Sequence, residues 1–67
     1  MTFAECFRAA RRESGLSQAT VSKRSGIHAT EISRIERGYR DVRLSTIYRL
    51  AQALDIKPSE LLRDREA

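Results

Sequence analysis

A chain of 67 residues has room for one domain, and with 40% hydrophobic residues it can build only a small core. The sequence contains no apolar run near the ~20 residues that a membrane helix needs, so we expect a soluble, cytoplasmic protein. The formal net charge is +4, and residues 23–43 contribute six basic and three acidic side chains to it. Such clustering indicates a phosphate-bearing partner, although a solvated, salt-bridged helical surface would give the same count.

The first predicted helix begins after Thr2, which forms a T-x-x-E capping box with Glu5. The dipeptide Ser14-Gly15 ends it. Its buried stripe consists of four residues at helical spacing: Phe3, Cys6, Phe7 and Ala10. Because the chain has one Cys and one His, Cys6 is interpreted as a small buried residue, and neither a metal site nor a cofactor is predicted.

Two short helices about a glycine turn follow, with a core over about residues 17–37. Ser17 is a typical N-cap for a helix predicted at Thr20 to Arg24, and Gly26 allows the left-handed turn that ends it. The next helix is predicted from about His28 to Arg37. Its outward residues are small, polar or basic: His28, Ala29, Thr30, Ser33, Arg34 and Arg37. This is the helix-turn-helix arrangement, in which the second helix lies in the DNA major groove.

The rest of the chain predicts two more helices. A fourth helix from Leu44 to Leu54 has an apolar stripe formed by Leu44, Ile47, Leu50, Ala51 and Leu54. Pro58 suits the first position of a fifth helix, predicted from Ser59 to about Asp64. Since no strand-like alternation occurs, residues 1–67 predict a single all-α, compact five-helix domain.

Three sequence segments match a known family in register: G-L-S-Q, G-I-H-A-T-E-I-S-R-I-E-R-G and L-x-T-I-x-R-L-A-Q-A-L-D-I-x-P-S-E-L-L. With them, residues 3–62 resemble the phage Cro–repressor (XRE) family of helix-turn-helix regulators, which implies a lambda-repressor-like fold. The resemblance implies that Arg11 pairs with Glu36, tying the first helix to the recognition helix. The alternative is that Arg11 points at solvent or phosphate. It also implies a phosphate contact by Gln18, beside Ser17 at the start of helix 2, where free N–H groups favour anions.

Residue chemistry assigns contacts along the recognition helix. Ala29 and Thr30 offer methyl groups to thymine, and Arg34 has the reach and the fork for guanine O6 and N7. Glu31 either accepts from cytosine N4 or pairs with Arg34, and we favour the intramolecular pair. Four residues are expected at the sugar–phosphate backbone: Arg37, Tyr39, Arg40 and Arg43. For Arg43 the alternative is the minor groove.

The sequence therefore predicts a sequence-specific double-stranded DNA-binding transcriptional regulator, a repressor, without a small-molecule effector. It would bind a palindromic operator as a homodimer, with half-sites ~34 Å apart. Leu61 and Leu62 are the expected interface, because two leucines on a short helix exceed the needs of a small core; the alternative is that both are core. No catalytic triad or Gly-rich phosphate loop occurs, so an enzyme is not predicted. The alternatives are an interaction module, such as an antitoxin, or the DNA-binding domain of a longer regulator.

Overall fold

The computed structural model describes residues 2–39 and 41–62, which form five helices and no strand. The helices are α1 (Phe3–Glu13), α2 (Gln18–Ser25), α3 (Ala29–Glu36), α4 (Leu44–Leu54) and α5 (Pro58–Leu62). The predicted all-α, five-helix class is confirmed. None of the described helices is long and apolar enough to cross a membrane.

The second helix begins two residues before its predicted start. It begins at Gln18 instead of Thr20, because the Ser17 hydroxyl accepts from the backbone N–H of Thr20, which makes Ser17 the N-cap and Gln18 the first helical residue. The fifth helix begins at Pro58, the residue that the sequence predicts at its first position. Its predicted continuation to Asp64 lies outside the described residues, as does Arg40.

Short-range hydrogen bonds define the start of α1. The Thr2 hydroxyl accepts from the backbone N–H of Glu5 at 3.3 Å, and the Glu5 carboxylate accepts from the backbone N–H of Thr2 at 2.9 Å. These two bonds complete the predicted capping box. They satisfy two backbone donors at a helix end that would otherwise depend on water.

The turn between α2 and α3 depends on one left-handed residue. Gly26 has φ of 76°, a conformation that costs other residues about 1–2 kcal/mol. Its N–H donates to the carbonyl of Ser22, and the Ser25 hydroxyl accepts from the N–H of Ile27 at 3.1 Å. The turn therefore satisfies its own polar groups and redirects the chain within three residues.

The core lies between α4 and the helices that surround it. Helix α4 contacts α2 and α5, while α1 contacts α3 and α5. Ten buried residues form the core cluster: Phe7, Val21, Ile32, Ile35, Ile47, Leu50, Ala51, Ala53, Leu54 and Leu61. Every helix contributes to it, so the five short helices depend on one another for stability.

The predicted stripe of α4 is wrong at Leu44, which is 54% exposed. Leu44 is the first residue of the helix, and the buried positions begin one turn later, at Ile47. Apolar periodicity identifies the face of a helix that packs, but it does not identify which members of that face have a neighbour to pack against.

The capping box predicts a specific pH dependence of stability. Hydrogen bonds from Thr2, chiefly from its backbone N–H, lower the pKa of Glu5 below its ordinary 4.5. The folded-state pKa is depressed, so the charged cap stabilises the fold above pH 4.5 and this contribution is lost as the pH falls through the lowered pKa. Urea unfolding of Glu5→Gln should therefore differ from the parent protein at pH 7 and converge with it in acid.

The matched variant is Thr2→Ala, which removes the uncharged half of the cap. It should cost about 1 kcal/mol at pH 7, and most of that loss should persist in acid because a hydroxyl does not titrate. A Glu5→Gln difference that is the same at both ends of the pH range would refute the assignment.

Candidate nucleic-acid interface

Helix α3 has one face in the core and one in solvent. Ile32, Ile35 and Glu36 are buried, whereas the other residues of the helix are half-buried or exposed. Thr30 and Arg34, one turn apart, are exposed, while Ala29 and Ser33 are half-buried. Small residues thus lie at the N-terminal end of this face, and a long Arg lies further along it. This arrangement allows the helix to enter a nucleic-acid groove.

His28 occupies the N-cap position of α3, as the sequence predicts. Its Nδ1 accepts from the backbone N–H of Thr30 at 3.1 Å. Since Nδ1 accepts, a neutral ring carries its proton on Nε2. The exposed imidazole then presents an N–H donor at the start of the helix, within the surface that the other outward residues form.

The end of α3 is fixed by a Schellman motif. Gly38, with φ of 78°, donates to the carbonyl of Ile35 at 3.0 Å, and the N–H of Tyr39 donates to the carbonyl of Arg34 at 3.1 Å. Arg37 is exposed as the C-cap, and Tyr39 is 71% exposed just beyond it. Arg43, the N-cap residue of α4, is also exposed.

Arg11 and Glu36 lie together at the junction of α1 and α3. Arg11 Nε donates to Glu36 Oε2 at 2.5 Å and Nη2 donates to Oε1 at 3.1 Å, a bidentate pair. The side chains are 13% and 5% exposed. Nη1 donates to the carbonyl of Leu16 at 2.9 Å, so all three nitrogens of the guanidinium are bound inside the protein. The hydrogen bond to Glu36 raises the pKa of Arg11 above its ordinary value.

Gln18 joins this network, a contact that the sequence reading missed. Its Nε2 donates to Glu36 Oε1 at 3.2 Å. Glu36 therefore accepts three hydrogen bonds, from α1 and from the first residue of α2. The chemistry of Glu36 could have indicated this contact, because a buried carboxylate accepts at two oxygens and needs more donors than one guanidinium supplies.

Glu31 lies in a crevice between α3 and the loop that precedes α4. The crevice, of about 240 Å³, is also lined by Asp41, Arg43 and Thr46. Pairing of Glu31 with Arg34 and its alternative contact with cytosine both stay predictions. Among the described residues, no three His, Cys, Asp or Glu side chains form a group that could hold a metal ion.

The expected interface residues lie in different environments. Leu61 is fully buried in the core, so its assignment to a surface is wrong: the small core does need it, against α1 and α4. Leu62 is half-buried and lines an open groove of about 730 Å³ between α4 and α5. Tyr48, which the sequence reading did not single out, is 50% exposed in the same groove.

Comparison with protein families matches residues 7–61 to a family described as Helix-turn-helix (HTH_3). The chain belongs to this helix-turn-helix family. The match includes α2, α3 and their turn, and it confirms the XRE-type resemblance. The protein is accordingly a DNA-binding transcriptional regulator.

Relatives in the helix-turn-helix family include an uncharacterized HTH-type transcriptional regulator of Sinorhizobium fredii, 46% identical over 78% of this chain and 68% of its own. Control protein C.BamHI of Bacillus amyloliquefaciens is 40% identical, over 75% of this chain and 62% of its own. The crystal structure of the restriction-modification controller protein C.AhdI from Aeromonas hydrophila superposes with a TM-score of 0.85, at 44% identity, covering 88% of this chain and 89% of that one.

The buried ion pair predicts a large cost for removing its negative charge. Glu36→Gln keeps the shape of the side chain but leaves the Arg11 guanidinium buried without a counter-charge. We expect a loss on the order of 3 kcal/mol in the free energy of unfolding, measured by urea denaturation.

The matched control for this variant is Glu13→Gln, which neutralises an exposed carboxylate of α1. It should change the unfolding free energy by no more than ~0.5 kcal/mol. If the two variants lower the free energy of unfolding equally, the Arg11–Glu36 pair contributes no more to stability than an exposed carboxylate does.

Proposed function

We propose that the chain is a sequence-specific repressor that reads the major groove of double-stranded DNA with α3. The observation that carries this proposal is the solvent-exposed face of α3, with Thr30 and Arg34 outward and Ile32 and Ile35 buried. An eight-residue helix held at both ends by caps is a rigid support for side chains that must meet base edges. Regulation would follow from occupancy of the operator.

Roles within the interface follow from position and chemistry. Ala29, Thr30 and Ser33 line the end of α3 that approaches the bases, and Arg34 donates two hydrogen bonds to a guanine. His28 donates from Nε2. Five residues contact phosphates without reading sequence: Ser17, Gln18, Arg37, Tyr39 and Arg43. Arg40 belongs to the same proposed set and lies outside the described residues.

Charge supports this assignment. Residues 23–43 carry six basic and three acidic side chains, a net of +3 within a total of +4. One of the three acidic residues, Glu36, is neutralised inside the protein by Arg11, which lies outside that segment. The net charge that this segment presents to DNA is therefore more positive than the +3 counted from its sequence. This favours phosphate contacts and fast association.

We propose that a second copy of the chain fills the groove between α4 and α5. Three large hydrophobic residues are exposed in the described part of the chain, and one of them, Tyr48, borders the groove together with Ile56 and Leu62. An apolar groove with an aromatic side chain at its edge is typical of an interface. A single domain of this size reads too few base pairs to be specific, whereas a two-fold dimer reads both halves of a palindrome.

A narrower candidate is control of restriction–modification genes. It is favoured by C.AhdI, a controller protein whose length the chain matches almost entirely, and by the control protein C.BamHI. The test is whether the operator of this protein occurs upstream of a restriction endonuclease or methyltransferase gene. Occurrence only beside unrelated genes would remove this candidate and leave the wider proposal intact.

Arg34 and Arg43 should respond differently to replacement by alanine. Arg34→Ala should cost on the order of 1–3 kcal/mol for each half-site of the operator and relax preference at one base pair in each, with little effect on scrambled DNA. Arg43→Ala should weaken binding to both duplexes and reduce the salt slope by about one unit for each protomer bound, because each protomer loses one phosphate contact. Fluorescence anisotropy over a salt series measures both effects.

Arg12→Ala is the matched control, since it removes the same charge from an exposed site on α1. It should leave operator preference unchanged and alter the slope less than Arg43→Ala does. A loss of base preference in Arg43→Ala without a change in slope would reverse the assignment and make Arg43 the minor-groove reader.

Tyr48 and Tyr39 provide a matched pair for the dimer. Tyr48→Ala should raise the dimer Kd by roughly 1000-fold, because a two-fold interface loses its aromatic anchor once from each protomer, at about 2 kcal/mol each. Tyr39→Ala removes an equally large exposed side chain outside the groove and should leave the Kd unchanged. Sedimentation velocity measures the dimer Kd of the parent protein and of both variants. A parent protein that is monomeric even on operator DNA contradicts the dimer.

A further inference from the structure

The hydrogen bond between Gln18 and Glu36 joins the proposed phosphate contact of α2 to the end of the recognition helix. Gln18 is the first residue of α2 and Glu36 is the last residue of α3. Gln18 is half-buried, with Nε2 3.2 Å from Glu36 Oε1. A carboxylate only accepts, so Glu36 requires the nitrogen end of the carboxamide to face it.

A primary amide nitrogen carries two hydrogens that point in different directions. Glu36 accepts one of them, so the second is directed away from the carboxylate. Gln18 is the first residue of α2, where the backbone N–H groups of Gln18 and Ala19 have no acceptor within the helix, whereas that of Thr20 donates to the Ser17 hydroxyl. A phosphate that approached this helix end could accept from the two N–H groups and from the second carboxamide hydrogen.

Glu36 itself is held in place on the other side. Arg11 binds both of its oxygens and also binds the carbonyl of Leu16, immediately before the N-cap of α2. The network therefore fixes the start of α2 to α1 and to α3 at once. It also cancels the charge of Glu36, which would otherwise repel a phosphate near Gln18.

We propose that Glu36 is a positioning residue for DNA binding, which orients the Gln18 carboxamide toward a DNA phosphate and fixes that contact relative to α3. This inference rests on the proposed function. It adds that the ion pair sets the distance between the phosphate anchor on α2 and the bases read by α3, and does not serve the fold alone.

A double-mutant cycle tests the proposal. Glu36→Asp keeps the charge and shortens the side chain by one methylene, so its bond to Gln18 is lost. Gln18→Ala should weaken binding to operator and scrambled DNA by roughly tenfold for each protomer bound, the value of one hydrogen bond to a charged group. The salt slope should stay unchanged because Gln18 is neutral and displaces no counterion.

Under the proposal, Glu36→Asp has a similar loss in the parent protein and no further loss in the Gln18→Ala background. All variants are measured at a temperature where circular dichroism shows that they are folded. Losses that multiply in the double variant, or an unchanged affinity in Glu36→Asp, would overturn the proposal.

A second measurement does not require a change at Glu36. The sequence contains no Asn, and Gln18 and Gln52 carry its only side-chain carboxamides. The ¹H–¹⁵N resonances of the Gln18 carboxamide can therefore be identified in the DNA-free protein. By heteronuclear NOE this carboxamide should be as rigid as the backbone amides of α2; a carboxamide clearly more mobile than that backbone would refute the positioning role.

A different result would contradict the proposed sequence-specific function itself. If the parent protein binds operator and scrambled DNA equally, sequence-specific reading fails whatever the NMR data show. If the parent protein discriminates but the cycle is additive, only the role of Glu36 fails.

Discussion

The Arg11–Glu36 ion pair is the interaction on which the placement of the recognition helix depends. It joins residues 25 positions apart in the sequence, and both side chains are largely removed from water. A buried pair gains little net stability, because the cost of desolvating two charges offsets their attraction. Its value lies in geometry, since the fork of Arg11 and the plane of Glu36 permit only a narrow range of relative positions.

Such a constraint is needed because the elements themselves are short. Helices α2 and α3 have eight residues each, too few to be stable in isolation. Their stability comes from burial of Val21, Ile32 and Ile35 in a core to which every helix contributes. Side-chain caps from Ser17 and His28 and left-handed glycines at positions 26 and 38 define where each helix begins and ends.

Local chemistry made much of this architecture predictable. The caps at Thr2, Ser17 and His28 act within three residues, so the sequence alone indicates them. The resemblance to a known family added the Arg11–Glu36 pair, which periodicity could not have found. The features that could not be predicted depend on neighbours in three dimensions. Leu44 is exposed and Leu61 is buried, although both lie in apolar patterns. Gln18 binds Glu36, which is 18 residues away in the sequence.

Selection of bound sites from random duplex DNA tests the central claim, that α3 reads sequence from a two-fold dimer. We expect one enriched motif made of two inverted half-sites, centred about 10–10.5 base pairs apart, so that both recognition helices face the same side of the duplex. Retention of DNA by the protein without any enriched sequence, or enrichment of a single half-site bound by one protomer, would contradict it.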